Sequence, residues 1–295
     1  MDVFDLSVVI PAYKEYQKIR QCLDSLNKSD FSDFNILVVD HGESDEITQR
    51  INKDFPEVKC LRGSSDLWWT GATNIGVKYA VGMGSKRIIP LNHDCYVHTD
   101  TISKIVCASD QVLNSIVAPV QYSLSNKTDL VCAASFFLLG FPTVIIPAKW
   151  CRKRNKKSLL STGLIIGGRG AIIHAEIFKK IGYFDETDLP HYGADHDFYL
   201  RCKKSGIKLL TCLDSRLDVD DYPPKQGSIQ KNTRASSFID TLTKRSSHRN
   251  IKDTYTLFSR YYPLPGLAFL GMGLYLLRYS LVYLLKSGRY FFTEN

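Results

Sequence analysis

Residues Arg87 to Val97 read R-I-I-P-L-N-H-D-C-Y-V. An apolar run stops at Asn92, His93 and Asp94 and then turns apolar again. A short buried strand that delivers a carboxylate at its carboxyl end is how open α/β sheets present chemistry to a ligand. Aspartate after a strand also serves as a turn or cap residue. The assignment of Asp94 to a site therefore rests on its neighbours.

Upstream, Leu6 to Ile10 (L-S-V-V-I) is β-branched and continuous, as a central parallel strand should be, and Pro11 ends it. Ile19, Cys22, Leu23 and Leu26 follow at helical spacing within Tyr13 to Asn27. Ile36 to Val39 is a second buried strand running into Asp40-His41-Gly42-Glu43-Ser44-Asp45, where Ser44 or Asp45 can cap the next helix. Val58 to Leu61 is a third strand. Trp68 to Gly76 reads as a loop entering a helix that leads to the strand Ile88–Leu91. Strand and helix alternating four times predict a doubly wound, mostly parallel α/β sheet flanked by helices. Tyr13, Asp40 and Asp94 would then gather at the carboxyl ends of its strands, where ligands bind.

Downstream, a helix over 101–114 and a strand at 116–119 are expected, and then the alternation dissolves. Residues 121–158 read as an insertion with an apolar half and a basic half. Order returns at the glycines 163, 167, 168 and 170, at the helix 175–181, and at a helix opened by Asp195 and Asp197, which the macrodipole alone would favour. Ile207 to Cys212 is the last clear strand.

The chain has 295 residues, is 44% hydrophobic and carries a formal charge of +8, enough for one sizeable core and against a disordered chain. The cationic excess is local. No acid occurs between Asp129 and Glu176, where Lys149, Arg152, Lys153, Arg154, Lys156, Lys157 and Arg169 fall. Such a patch attracts nucleic acid, anionic lipid or a phosphorylated substrate. Eight cysteines without metal-site spacing read as reduced thiols of a cytosolic protein, and the N-terminus lacks the pattern of a signal peptide. Leu264 to Leu285 is apolar apart from Arg278. It reads as a helix or helix pair in the cytoplasmic leaflet, with Tyr275, Tyr279, Tyr283, Lys286 and Arg289 at headgroup level; a core helix or the seam of a homo-oligomer is the alternative.

Five segments in order resemble the family 2 glycosyltransferases of the GT-A fold, particularly the bacterial branch that makes surface polysaccharides. They are S-V-V-I-P-A-Y, L-V-V-D-H-G-E-S-D, G-A-T-N-I-G-V-K-Y-A, P-L-N-H-D, and G-G-R-G-A-I-I-H-A-E-I-F-K-K-I-G-Y-F-D-E followed by A-D-H-D-F-Y-L-R. The resemblance covers roughly residues 5–215.

It implies an inverting enzyme that moves a sugar from a nucleotide-diphosphate donor to a glycan or lipid-linked acceptor at the inner face of the cytoplasmic membrane, with no nucleic-acid partner. Asp94 would hold Mg²⁺ or Mn²⁺, with Asn92 standing where the family's motif has its first aspartate. Asp195 would be the catalytic base, with Ala194 where the family carries another acid. Asp40 would accept from the nucleotide base; Pro11, Ala12, Tyr13 and Glu15 would line the opposite wall. Gly71 and Asn74 would lie near ribose and diphosphate. Gly168 belongs to the acceptor loop, and Arg201 orients helix and loop. His93, His196 and His248 have no assigned role, and Trp68 and Trp69 are expected to be buried rather than stacked on a ligand.

The domain division expected is 1–215 for catalysis and 216–295 for a polar linker and apolar helical segment. A non-catalytic subunit of a polysaccharide-assembly complex is one alternative. A sugar nucleotidyltransferase is another, against which P-A-Y-K-E after the first strand offers no glycine- and arginine-rich phosphate loop. A processive synthase is disfavoured by the absence of Q-x-x-R-W.

Overall fold

The computed structural model describes residues 4–154, 157–220 and 235–293. Lys156 and the side chains of Arg154, Lys286 and Arg289 lie outside the described residues.

The elements run β1 (Leu6–Ala12), α1 (Tyr16–Asn27), β2 (Phe34–Asp40), α2 (Glu46–Asp54), β3 (Lys59–Arg62), α3 (Trp68–Gly82), β4 (Arg87–Pro90), β5 (Cys95–Val97), α4 (Thr101–Gln111) and β6 (Ser115–Ser123). A hairpin follows, β7 (Thr128–Phe136) and β8 (Phe141–Pro147), joined through a tight turn Phe137–Leu139. Then come α5 (Ala148–Arg154), β9 (Leu159–Ser161), β10 (Ile173–His174), α6 (Ala175–Ile181), α7 (Ala194–Lys204), β11 (Lys208–Val219), α8 (Ala235–Thr243), α9 (Ile251–Tyr261) and α10 (Ala268–Thr293).

The first four strands form the expected parallel layer, in the order β10-β4-β1-β2-β3 with β10 antiparallel. Its central strand β1 is buried at every position, as a parallel strand covered on both faces must be. Gly76 lets α3 sit directly on this layer: a Cβ there would lie 2.3 Å from Val9 and 3.0 Å from Val39.

Three expectations need correction. The strands do not form one sheet: β5-β11-β6-β7-β8 make a second, mixed sheet, joined to the first by the bridge Val117↔Ile172. The last strand also runs to Val219 rather than Cys212, because a bulge between Cys212 and Arg216 restores its pairing with β6. Likewise α3 begins at Trp68, where a loop was expected. The 121–158 stretch is the β7–β8 hairpin plus α5.

The C-terminal helices enter the main core: Leu257, Phe258, Ala268, Met272 and Tyr275 pack in one cluster with Phe178, Phe198 and Tyr199. Each such side chain contributes roughly 1.5–3 kcal/mol when removed from water. Arg278, costly in an apolar helix, lies 3.7 Å over the Phe141 ring. By length and composition Ala268–Leu285 could cross a membrane.

Candidate active site

Asn92, His93 and Asp94 follow β4. The Asn92 amide donates to Gly168 O (2.7 Å), while its side-chain Oδ1 accepts from Trp69 Nε1 (2.7 Å). Gly168 is required there, since a Cβ would stand 2.4 Å from the Trp69 ring and 3.1 Å from Asn92 Oδ1. One residue earlier, the Gly167 amide donates to Asp195 Oδ2 (2.7 Å), and Gly167 O accepts from Tyr199 (3.3 Å). Two adjacent glycines thus carry Asn92 on one and Asp195 on the other. Residues 76 and more apart in sequence are brought to one place.

Asp94 is nearly buried and accepts a contact from Cys95 Sγ (3.6 Å). Its carbonyl accepts from the amide of Asp220 (2.8 Å), which follows β11. The Asp220 carboxylate accepts from Tyr96 (3.2 Å) and lies 3.7 Å from Lys18, which also reaches Glu15 at 3.4 Å. Asp220, Lys18 and Trp69 are site residues that the sequence reading missed.

On the β1 side, His93 joins Pro11 O (3.1 Å) to Glu15 (3.5 Å), and that contact holds the Glu15 carboxyl below the usual range. Lys14 and Glu15 both adopt left-handed backbone, φ 56° and 53°. Tyr13 stacks on His41 at 5.2 Å, and burial pushes His41 down to about 4. Ala12 ends β1 opposite Asp40. A groove of about 390 Å³ opens between this turn and the β2–α2 turn, lined by Lys14, Glu15, Gly42 and Glu43 among others.

Asp40, expected to face a nucleotide base, is fully buried, and its oxygens accept from Gly42 N (2.9 Å), Thr48 N (3.2 Å) and Thr48 Oγ1 (2.7 Å), with Arg62 at 2.6 Å. It organises the β2–α2 turn. Asp45 occupies the N-cap of α2 without a capping bond, its carboxylate taken by Arg62 at 2.9 Å. Asn74 is spent on the 184–186 loop, bonding Phe184 N, Phe184 O and Glu186. Gly71 packs against Leu67 in the first turns of α3.

Asp195 and Asp197 stand in the first turn of α7. Asp197 is buried and accepts from Arg201 (2.8 Å), Arg260 (3.1 Å) and Tyr261 (2.8 Å). Arg201 also donates to the carbonyls of Ile181 and Tyr183, 2.7 Å each, which ties α7 to the preceding loop. His196 contacts Thr143 of β8 at 3.3 Å. Trp68 packs on His191 (5.3 Å), and His248 on Tyr192 (6.2 Å), three residues before Asp195. Ala194 is fully buried.

For a divalent cation, the described residues hold no group of three or more His, Cys, Asp or Glu side chains. Asp94 and Asn92 carry side-chain oxygens, the donor type a hard cation takes, and the Asn92 oxygen already accepts from Trp69.

The model of the family described as "Glycosyl transferase family 2" matches residues 7–182. The chain belongs to that family. Among curated relatives of this glycosyltransferase, an uncharacterised glycosyltransferase of Rickettsia prowazekii is 25% identical over 202 residues, 66% of this chain and 58% of that protein. The amylovoran biosynthesis glycosyltransferase AmsB of Erwinia amylovora is 22% identical over 100% of this chain and 93% of its own. The fold is also that of GalNAc-T7 solved with UDP, GalNAc and Mn²⁺ (TM-score 0.61, 17% identity, 74% of this chain, 44% of that one). S. aureus TarS 1–349 is similar too (TM-score 0.54, 14% identity, 92% and 70%). The family 2 glycosyltransferase therefore has the GT-A architecture, with an apolar helix at its C-terminal end.

Proposed function

We propose that this glycosyltransferase is an inverting enzyme that takes a sugar from a nucleotide-diphosphate donor and passes it to a glycan or lipid-linked acceptor in cell-surface polysaccharide synthesis, on the cytoplasmic side of the membrane. The observation that supports this best is the Gly167–Gly168 segment, whose first glycine bonds Asp195 and whose second bonds Asn92.

Inversion needs a base on the face opposite the leaving group. Asp195 takes the proton of the acceptor hydroxyl as that oxygen bonds to the anomeric carbon and the carbon–diphosphate bond breaks. The Gly167 N–H fixes the orientation of the carboxylate throughout. A divalent cation, Mg²⁺ or Mn²⁺, would be held by Asp94 with Asn92 and would neutralise charge on the departing diphosphate. The Mn²⁺ and UDP named for GalNAc-T7 and the polysaccharide role named for AmsB support this reading. Pro11, Ala12, Tyr13 and Glu15 form the donor wall, and Lys18 supplies a cation near Asp220.

The test is release of nucleoside diphosphate from a panel of nucleotide sugars, with and without Mn²⁺. Slow metal-dependent release that Asp94→Asn abolishes is expected. Release unaffected by that change would overturn the metal assignment. Tight nucleotide binding with no turnover on any lipid-linked acceptor would favour the non-catalytic subunit instead.

A further inference from the structure

We infer that the turn Phe137–Leu139 and the outward face of α10 form one docking surface for an anionic lipid bilayer, which the enzyme enters from one side without crossing. This rests on the membrane-side reading above and assigns it to a surface.

The two elements meet with little room to spare. A Cβ on Gly140 would stand 2.7 Å from the Tyr275 amide, and one on Gly271 would stand 2.7 Å from Phe137 O. On the inward side of α10, Ala268, Met272, Tyr275 and Tyr279 are buried against the body. A helix bound to protein along one side cannot be surrounded by lipid. On the outward side, Leu270, Leu274, Leu277 and Leu281 recur every three or four residues and are exposed, Leu277 by 59%. Leu138 and Leu139 of the turn join them, Leu139 by 61%. A contiguous apolar surface of this kind on a water-soluble body marks a contact.

Charge decides what covers it. The chain has no acid from Leu130 to Ala175 or from Thr254 to Thr293, and these two stretches are the ones that pack together here. Arg278 of α10 lies 3.7 Å over the Phe141 ring, and Arg249 lies 4.5 Å over the Tyr279 ring. A seam between two copies in water would be flanked by paired charges. This one is flanked by Gly273 and Ser280 on one side and by Arg278 on the other, and an aliphatic surface whose charged border among the described residues is the cation Arg278 matches anionic lipid.

Docking would also fix the height of the site above the membrane. Leu257 of α9 packs on Gly193, just before α7, and Arg260 grips Asp197, so the helix pair that meets lipid is bolted to the helix carrying Asp195.

The full-length chain is mixed with vesicles of equal parts phosphatidylglycerol and phosphatidylcholine, or of phosphatidylcholine alone, and vesicle-bound protein is measured by flotation. Soluble nucleotide-sugar hydrolysis is measured in parallel. Binding to the anionic vesicles, weakened by salt, is expected. The pairs Leu138→Glu with Leu139→Glu, and Leu274→Glu with Leu277→Glu, should each reduce it by roughly tenfold or more while hydrolysis is unchanged. Wild-type protein that stays unbound would overturn the proposal. So would a lipid-free dimer that the α10 variants dissociate, which would make the face an interface between copies. Vesicle binding without hydrolysis would sink the catalytic reading alone.

Discussion

Arg260 of α9 reaches across to the buried carboxylate of Asp197 at 3.1 Å, two residues beyond Asp195. The same guanidinium is 2.7 Å from Asp185 in the loop before α7, and Tyr261 completes the grip. Removing Arg260 leaves a buried charge short of a partner. We expect Arg260→Ala to lower stability by about 1–3 kcal/mol in a urea titration. Turnover should fall with it while donor affinity is kept, and Arg260→Lys should rescue only part of either effect.

Asp195→Asn preserves the shape and the acceptor for the Gly167 amide but cannot take a proton. Turnover should drop by roughly 10² to 10⁴. Donor binding, followed by thermal shift with the nucleotide diphosphate, should be unchanged; a matching loss of donor affinity would mean that Asp195 serves binding instead.

Trp69→Phe keeps the packing against Phe184 and deletes only the donor to Asn92. About 1 kcal/mol of orientation is at stake, seen as a several-fold weaker dependence on Mn²⁺ concentration. Gly168→Ala goes further, since its methyl must displace the Trp69 ring. A loss of about 1–3 kcal/mol in stability is expected, measured by denaturation, together with a loss of activity.

Asp253 is buried in the first turn of α9, its oxygens lack a hydrogen-bond partner among the described residues, and Arg245 stands 4.0 Å away. Burial pushes this carboxyl up to about 6. The folded chain then holds the proton more tightly than the unfolded one, so stability falls as pH rises from about 4 to 6 and the cost is complete above that window. Asp253→Asn should therefore raise the unfolding free energy at pH 7 by about 2 kcal/mol, measured by denaturation, and give no gain below about pH 4. Equal gains at both pH values would show that the charge is not the cause.

The parallel layer was legible because β1, β2 and β4 are continuous apolar runs that end in polar residues, a pattern with one common solution. The second sheet was not. Past Cys212 the chain reads L-D-S-R-L-D-V, alternating buried and more exposed positions, and the search for unbroken apolar runs passed over a half-exposed strand. Asp220 was lost with it, since only the pairing of Val219 with Cys95 sets it beside Asp94. Asp94, Asp195 and Gly168 stand out in the sequence through order and family pattern. Trp69 could not be, because a tryptophan that is packed and one that donates to Asn92 look alike in sequence. For Asp40 and Asn74 the residue types were noticed, but their partners, Thr48 with Arg62 and the 184–186 loop, depend on tertiary approach.

The two glycines between Asn92 and Asp195 act as a spacer made of main chain alone, bonded to the Asn92 amide at one end and to the Asp195 carboxylate at the other. Consecutive Cα atoms lie about 3.8 Å apart. One residue inserted or deleted there would shift Asp195 by a whole peptide relative to Asn92, while in the proposed transfer the reacting atoms must meet within about 3–3.5 Å. On that proposal, a change of length at 167–168 would cost the enzyme the transfer step itself.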